Sequence, residues 1–181
     1  MEIEYLSQII EAILFSSQRS LTPKQIAKSL DLKKTGQIRQ IINELNEFYK
    51  TNKRSFYIHA VAGGFQMRTD PQFKKWIRRG KIVRTIQLSP SVLETLSIIA
   101  YNQPVTRAEI EEIRTVDSSY SLRSLLEKKL IRITGKKETA GRPLLYGTTK
   151  NFLEVFGFDH LGQLPRPEDF DITNPEGSEV S

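Results

Sequence analysis

An internal repeat constrains the fold of this chain more than any other feature of its sequence. When the sequence is shifted by 84 residues, Thr22 falls on Thr106 and apolar residues fall on apolar residues without a gap. The apolar pairs are Ile9 with Leu93, Leu14 with Ile98, Phe15 with Ile99, Ile26 with Ile110, Ile38 with Leu122, Ile41 with Leu125 and Ile42 with Leu126. Such spacing indicates two copies of one supersecondary unit. We therefore expect two small domains, each with its own core.

The first copy is predicted to contain three helices followed by a hairpin. Helical spacing of apolar residues predicts a helix over about 5–15 and another over about 37–49, whose stripe ends at Phe48. Between them, Thr22 and Gln25 form a capping box that opens a short helix, with Pro at its first position. Two β-rich segments then flank the turn sequence Ala-Gly-Gly at 62–64. This hairpin is the expected wing.

The second copy follows the same plan. Ser89 and Pro90 open a helix that runs to about Tyr101, a second capping box begins at Thr106, and 117–118 opens a third helix. Strands over 130–134 and 144–148 close it. The sequence therefore predicts a mainly α protein with small β-hairpins (α+β), a tandem of two winged-helix domains. We place the domains at 1–80 and 89–163, a basic linker at 81–88 and an acidic disordered tail at 164–181.

Charge is distributed unevenly along the chain. Residues 1–85 hold 16 Lys and Arg against 7 Asp and Glu, 86–160 hold 10 against 9, and 161–181 hold 1 against 5. Six cations crowd around the end of the first copy: Lys74, Lys75, Arg78, Arg79, Lys81 and Arg84. Such a cluster fits weak, non-specific contact with nucleic acid. A solvated linker that faces an acidic partner is the other interpretation.

Residues for catalysis or metal binding do not form a pattern. The chain has no cysteine, and its two histidines, His59 and His160, stand outside any ligand spacing. Gly135 is followed by two lysines but lacks the rest of a phosphate loop. We expect no enzyme activity, cofactor or metal. The absence of a long apolar stretch or a basic signal sequence favours a cytoplasmic protein.

Sequence-specific DNA binding is the obvious alternative for winged helices. The third helix would then present donors to the major groove. Its predicted outward residues are poor for this role, since those of the first copy include Gln37, Gln40, Asn43, Glu44 and Glu47, and those of the second include Ser118, Ser121, Ser124 and Glu127. Carboxylates repel phosphates. Because Gln40 and Asn43 can still read adenine, a DNA-binding transcriptional regulator stays the alternative function.

Several motifs resemble those of a known family. They include Gln-Pro-Val-Thr-Arg-Ala-Glu-Ile at 103–110, Ile-Arg at 113–114 and Gly-Arg-Pro-Leu-Leu-Tyr-Gly-Thr-Thr at 141–149 in the second copy, and Gly-Gly-Phe-Gln-Met-Arg-Thr at 63–69 in the first. Over roughly 5–165 the chain resembles segregation and condensation protein B of bacteria. It departs from the family at Thr115, where Gly usually follows Ile-Arg. We therefore expect a rebuilt turn at this position.

The resemblance implies a non-catalytic subunit of a condensin-like complex. Such a subunit binds the kleisin (ScpA), and through it the SMC ATPase, in chromosome condensation and segregation at the nucleoid. It also implies a homodimer through the first winged helix and kleisin contact through the second. Arg and Tyr are favoured interface anchors. We place the kleisin site at Tyr101, Arg142, Pro143, Leu144 and Tyr146. Arg142 bracing its own wing is the competing interpretation.

Overall fold

The structure is a computed structural model that describes residues 3–32, 35–80 and 86–166. Within these ranges, the first winged-helix domain contains four α-helices and one hairpin. Their bounds are α1 Ile3–Ser16, α2 Pro23–Ser29, α3 Gly36–Thr51, β1 Phe56–Val61, β2 Gly64–Thr69 and α4 Lys74–Arg79. Helix α2 begins with the predicted capping box, in which Thr22 and Gln25 bond to each other's backbone N–H. The short helix α4 was not predicted.

The core of the first domain lies between α1, α3 and the hairpin. Its central side chains include Ile10, Leu14, Ile26, Ile38 and Ile42, each at most 1% exposed. The predicted stripe of α3 was wrong at its end. Phe48 is 55% exposed, whereas Tyr49 is 2% exposed and packs edge-on against Phe56. At the end of α3, Tyr49 rather than Phe48 therefore packs toward the wing.

The first wing is a two-residue hairpin. Ala62 and Gly63 take positive φ values of 53° and 70°, as a type I′ turn requires, and β1 pairs with β2 from Phe56–Thr69 to Val61–Gly64. Gly64 belongs to the strand, not to the turn. A Cβ atom there would lie 2.6 Å from the carbonyl oxygen of Leu21. This close approach lets Leu21 bridge to Phe65 as a third backbone segment of the sheet.

The second domain repeats the plan with two added elements. It comprises α5 Pro90–Asn102, β3 Val105–Thr106, α6 Arg107–Arg114, α7 Ser119–Glu127, β4 Ile131–Lys136, β5 Leu144–Thr148 and α8 Lys150–Phe156. The three strands are antiparallel in the order β3-β5-β4. Strand β3 and helix α8 were not predicted. Two winged-helix domains in tandem confirm the predicted fold class.

The repeat is less regular in space than in sequence. Offset 84 holds for Thr22 and Thr106, which cap α2 and α6. It fails for the first helices, because Phe15 is 78% exposed and Ile99 is fully buried. The buried residues of α1 correspond to residues of α5 that lie two positions beyond the offset of 84. The pairs are Leu6 with Val92, Ile10 with Leu96 and Leu14 with Ala100. The gapless register was therefore wrong for this helix.

Thr115 does not rebuild the turn after α6. Its φ is 60° and its ψ is 12°, the left-handed conformation that glycine adopts without strain. Its N–H donates to the carbonyl of Glu111 at 2.7 Å and thereby caps the helix. The prediction of a rebuilt turn was wrong. The backbone keeps the glycine-like geometry with a β-branched residue in place.

The domain limits remain a proposal of ours. The described part of the first domain ends at residue 80, and the linker residues 81–85 lie outside the described residues. The second domain packs around its own core, which includes Leu96, Ile99 and Leu125. Leu164, predicted to begin the tail, packs against this core. The remainder of the predicted tail, 167–181, lies outside the described residues.

Candidate partner-binding surfaces

An apolar groove runs between α5 and α8 of the second domain. Its rim carries Leu93, Tyr101 and Phe156, which are 44%, 46% and 39% exposed. Leu96, Phe152, Phe158 and Leu164 also line this groove, with Ser97 and Ala100. Exposed apolar side chains gathered in one groove are typical of a surface that packs against a partner. We refer to it as the α5–α8 groove.

Tyr101 closes one end of the α5–α8 groove. Its hydroxyl donates a hydrogen bond of 2.5 Å to the carbonyl of Pro165, so that the last described segment crosses beside the ring. The ring itself remains about half exposed. An aromatic ring with a fixed polar tip is well suited to an interface because little side-chain entropy is lost on binding. Of the predicted kleisin-binding residues, Tyr101 is the one that lines this groove.

The second wing presents Arg142 at its tip. Arg142 is exposed, adopts a positive φ of 42°, and its side chain makes no ion pair or hydrogen bond within the described residues. Pro143 follows, half-buried, and its carbonyl accepts the Lys137 N–H at 2.9 Å. Leu144 is 36% exposed. The wing tip therefore offers a guanidinium and an apolar side chain that the domain leaves free for a partner.

The motif at 141–149 divides into an exposed and a structural half. Tyr146 is only 8% exposed and belongs to the core, so it is a core residue rather than an exposed anchor. Gly147 allows Gln103 to approach, since a Cβ there would lie 3.1 Å from its side-chain oxygen. That oxygen accepts the N–H and hydroxyl of Thr148, and Thr149 caps α8. The residues that follow Leu145 therefore hold the domain together.

The tie between the wing and the helices is made by Lys137. Its Nζ lies 2.6 Å from Oε1 of Glu109, the capping-box residue of α6. Hydrogen bonds from Lys137 and from Thr106 lower the pKa of Glu109 to about 2. The contact that the competing interpretation assigned to Arg142 is thus made by a different residue.

A second polar cluster joins α6 to α7. Arg107 pairs with both Glu111 and Asp117 at 2.6 Å, and hydrogen bonds from Ser118 and Arg107 lower the pKa of Glu111. Arg114 is buried and donates hydrogen bonds to Glu94 at 3.0 Å, to Ser91 at 2.9 Å and to Ser118 at 3.2 Å. These carboxylates therefore serve the helix packing of the second domain.

Helix α8 connects the two domains through Glu154. The carboxylate oxygen Oε1 of Glu154 accepts the Ser20 hydroxyl at 2.6 Å and the Ser20 N–H at 3.1 Å. Lys150 Nζ donates to the Ser20 carbonyl at 3.1 Å, and Arg68 donates to the Glu154 carbonyl at 2.6 Å. Ser20 is 2% exposed. Because these bonds are shielded from water, they fix how α8 lies against the first domain.

The first wing inserts its turn beside the end of α8. The N–H of Ala62 donates to the carbonyl of Phe158 at 2.9 Å, and the N–H of Gly63 reaches the carbonyl and carboxylate of Asp159 at 3.0 and 2.8 Å. A hairpin turn normally leaves such groups to water. Here they are satisfied by the other domain. The two domains are therefore joined by a polar junction made of α8, its following turn and the first wing.

The two histidines lie at positions that are explained by the fold. His59 lies in β1, as predicted for a sheet residue, and its Nε2 is 3.2 Å from the carbonyl of Gly157 across the domain junction. His160 precedes a short 3₁₀ turn. Across residues 3–32, 35–80 and 86–166, no three His, Cys, Asp or Glu side chains are placed to hold a metal ion. Over the same ranges, no helix is long and apolar enough to cross a membrane.

The third helices are poorly equipped to read DNA. On α3, Gln40 donates to Glu44 at 3.0 Å, and Arg39 lies over the ring of Phe65 at 5.5 Å. On α7, the expected outward positions were partly wrong, because Ser118 and Ser121 are buried. Its exposed residues include Tyr120, Arg123 and Glu127. Gln37 and Asn43 on α3 and Arg123 on α7 are exposed, but exposed carboxylates on the same helices repel phosphates; these are Glu44, Glu47 and Glu127.

The predicted basic cluster lies partly on α4. Lys74, Lys75, Arg78 and Arg79 belong to α4 and are exposed, whereas Lys81 and Arg84 lie outside the described residues. Trp76, in the centre of the helix, is 62% exposed. The cations are thus arranged around an aromatic ring, which charge counting alone did not indicate.

Together the groove, the wing tip and the domain junction define a class of protein. It is a tandem winged-helix protein whose exposed apolar surfaces are suited to binding other macromolecules. The chain belongs to the segregation and condensation protein B family, because the family model "Segregation and condensation complex subunit ScpB" matches residues 8–167. The resemblance seen in the motifs is thereby confirmed.

Two relatives that carry the family's name agree with this assignment. Segregation and condensation protein B of Syntrophotalea carbinolica is 43% identical over 170 residues, which cover 94% of this chain and 86% of that protein. The protein of the same name from Moorella thermoacetica is 42% identical over 164 residues, 91% and 84% of the two chains. A solved structure, the dimer of the ScpB N-terminal domain complexed with ScpA peptide, is 22% identical with a TM-score of 0.40, covering 42% of this chain and 95% of that one.

Proposed function

We propose that this chain is a non-catalytic subunit of an SMC–kleisin condensin-like complex. As a homodimer it binds the kleisin (ScpA), and through the kleisin it acts with the SMC ATPase in chromosome condensation and segregation. Membership of the segregation and condensation protein B family supports this role. The role places the protein in the cytoplasm, at the nucleoid.

The observation that carries the proposal is the α5–α8 groove. Leu93, Tyr101 and Phe156 expose between 39% and 46% of their surface along a single groove. Binding of a protein segment there removes apolar surface from water, at about 25 cal/mol for each Å². Residues 86–160 are nearly neutral, with 10 Lys and Arg against 9 Asp and Glu. Affinity is therefore expected to come from packing rather than from charge.

The kleisin site that we propose combines the groove with the wing tip. Tyr101 supplies the aromatic anchor in the groove, and Arg142, Pro143 and Leu144 supply a second patch on the same domain. Arg142 supports the assignment because its guanidinium has no partner among the described residues. Tyr146 supports the patch indirectly, since its buried ring holds β5 against the core.

Homodimerisation is assigned to the first domain. Helix α1 exposes Tyr5 at 58% and Phe15 at 78% in addition to burying Leu6, Ile10 and Leu14. A helix with apolar residues on both its inner and outer sides is suited to pack on two neighbours. The first domain supplies one of them, and a second copy of the chain supplies the other.

The direct test of the proposed function is co-purification. The tagged chain is isolated from the cells that contain it, and its partners are identified by mass spectrometry. We expect a kleisin and an SMC ATPase in amounts comparable with the tagged chain. If the chain is recovered on promoter DNA without either protein, the proposal is overturned in favour of a transcriptional regulator.

A further inference from the structure

The surface around α4 carries a concentrated and uncompensated positive charge. No acidic residue occurs in the sequence between Asp70 and Glu94, whereas six cations do. The four cations of α4 are exposed, and their side chains form no ion pair or hydrogen bond within the described residues. Charge of one sign that is left unpaired at a surface attracts a polyanion. The ligand of this surface is therefore expected to be strongly negative.

A tryptophan sits within this charge. Trp76 is 62% exposed on α4 and is the single tryptophan of the chain. Arg79 lies three positions after it, and Lys75 lies four positions before Arg79, so the two cations are neighbours on the helix surface beside the indole. Phe73 lies at a ring-centroid distance of 6.4 Å and is half-buried, as is Ile77. Both of these side chains are partly covered, whereas the indole faces solvent.

We propose that α4 forms a binding site for single-stranded nucleic acid. Trp76 stacks on an unpaired base, and Lys74, Lys75, Arg78 and Arg79 contact the adjacent phosphates. Sequence-independent single-strand binding combines these two features, an exposed aromatic platform and a basic surface that follows the backbone. The site lies on the first domain, whereas the proposed kleisin groove lies on the second. It is therefore an activity separate from kleisin binding.

Other polyanions satisfy fewer of these features. An acidic polypeptide neutralises the cations but offers no flat ring for the indole. Duplex DNA offers phosphates, yet its bases are stacked within the helix and are closed to Trp76. A membrane-surface helix buries a continuous apolar face, and α4 has only six residues, with its other apolar side chain, Ile77, half-buried. A base with an exposed face uses both the charge and the ring.

Trp76 also supplies the measurement. Because it is the single tryptophan, fluorescence of the full-length protein reports on this position alone. Titration with an oligothymidylate of roughly 16 nucleotides is expected to quench that fluorescence as a base stacks on the indole. The binding constant should fall with salt at a logarithmic slope of about −3, the value for four phosphates on a single strand. Duplex DNA and poly-glutamate are expected to bind more weakly, without quenching.

Substitutions separate stacking from charge. With a labelled oligothymidylate followed by anisotropy, Trp76→Ala should weaken binding about tenfold, since the stacking contact with one base is lost. Lys75→Glu and Arg79→Glu should weaken it at least as much. Tyr120→Ala removes a 77% exposed aromatic residue from α7, and Lys128→Glu reverses a charge at the end of that helix. Both controls should bind as the wild-type protein does.

The proposal is overturned by any of three results. The first is fluorescence that does not change at saturating oligothymidylate, and the second is wild-type affinity in the folded Trp76→Ala protein. The third is equal quenching by poly-glutamate, which would make the surface a site for an acidic polypeptide. None of these results bears on the kleisin site, which is tested with Tyr101.

Discussion

Glu154, on the last helix of the second domain, accepts two hydrogen bonds from Ser20 of the first, one from its N–H and one from its hydroxyl. The two residues are 134 positions apart in the sequence. Ser20 is 2% exposed, and the side chain of Glu154 is 12% exposed. A carboxylate with so little access to water requires these donors. The pair therefore links the stability of one domain to the position of the other.

A double-mutant cycle measures this link. Ser20→Ala and Glu154→Ala, made singly and together, should show a coupling free energy of about 1.5–3 kcal/mol, the range for a hydrogen bond to a charged group. Urea unfolding provides the free energies. Gln40 and Glu44, an exposed pair on α3 at 3.0 Å, serve as the control and should couple by only about 0.3 kcal/mol. Additive effects of Ser20→Ala and Glu154→Ala would mean that the junction contributes no linkage.

Thr115→Gly should stabilise the protein. A β-branched residue at a φ of 60° is strained by about 1 kcal/mol relative to glycine, and Thr115 is exposed, so its side chain contributes little packing. We expect the free energy of unfolding to rise by about 1 kcal/mol. The control is Glu112→Gly, which places glycine at an exposed position inside α6 and should lower stability by a similar amount. If both variants lose stability, Thr115 is not strained.

Local signals in the sequence were sufficient for most of the fold. The capping boxes at Thr22 and Thr106 and the turn sequence at Ala62 act over a few residues, and the structure has each of them where it was expected. Helix α8 was missed because its stability depends on contacts far along the chain. Phe152 packs into the core, and Glu154 bonds to Ser20. The sequence of α8 itself contains no pattern that predicts those partners.

The candidate site was predicted less completely than the fold. Residue type alone suggested Arg142 and Tyr146 as anchors, yet Arg142 is exposed in the loop before β5, whereas Tyr146 is buried in the central strand of the sheet. Tyr146 pairs with Val105 on one side and with Ile133 on the other, and this position between two strands depends on β3, which was not predicted. The groove was missed because it combines α5 with α8. A site shared by two elements is visible only after both are packed.

The acid sensitivity of the second wing should depend on Glu109. Its pKa in the folded protein is lowered from 4.5 to about 2, so the stabilisation from its charged form is present above about pH 4.5 and is lost as the pH falls toward 2. Glu109→Gln should therefore flatten the fall in urea midpoint between about pH 5 and about pH 3. Part of the pH dependence of the urea midpoint should persist in this variant, because the pKa values of Glu111 and Asp117 are lowered too.

The control for this pH dependence is Glu112→Gln. Glu112 lies on the same helix, is exposed, and makes no ion pair or hydrogen bond among the described residues. Its substitution should leave the pH profile of the urea midpoint unchanged. A Glu109→Gln protein with the wild-type profile would show that the Lys137 contact does not hold the wing in solution.

Phe15→Glu should dissociate the homodimer. Phe15 is 78% exposed on α1, and a carboxylate at the centre of an apolar interface is destabilising by several kcal/mol when it is unpaired. Sedimentation of the full chain at tens of micromolar should then give the mass of a monomer. Ile113→Glu introduces the same charge at a 56% exposed position of the second domain and should leave the dimer intact. Dimeric Phe15→Glu protein would place the interface elsewhere.

The central claim, that a kleisin packs into the α5–α8 groove, is tested most directly by titration of a kleisin fragment against Tyr101 variants. Tyr101→Ala removes the ring from the groove, and Tyr101→Phe removes only the hydroxyl that bonds to Pro165. We predict a loss of about 2 kcal/mol, or roughly 30-fold in Kd, for Tyr101→Ala, and nearly wild-type affinity for Tyr101→Phe. Wild-type affinity in a folded Tyr101→Ala protein would contradict the account.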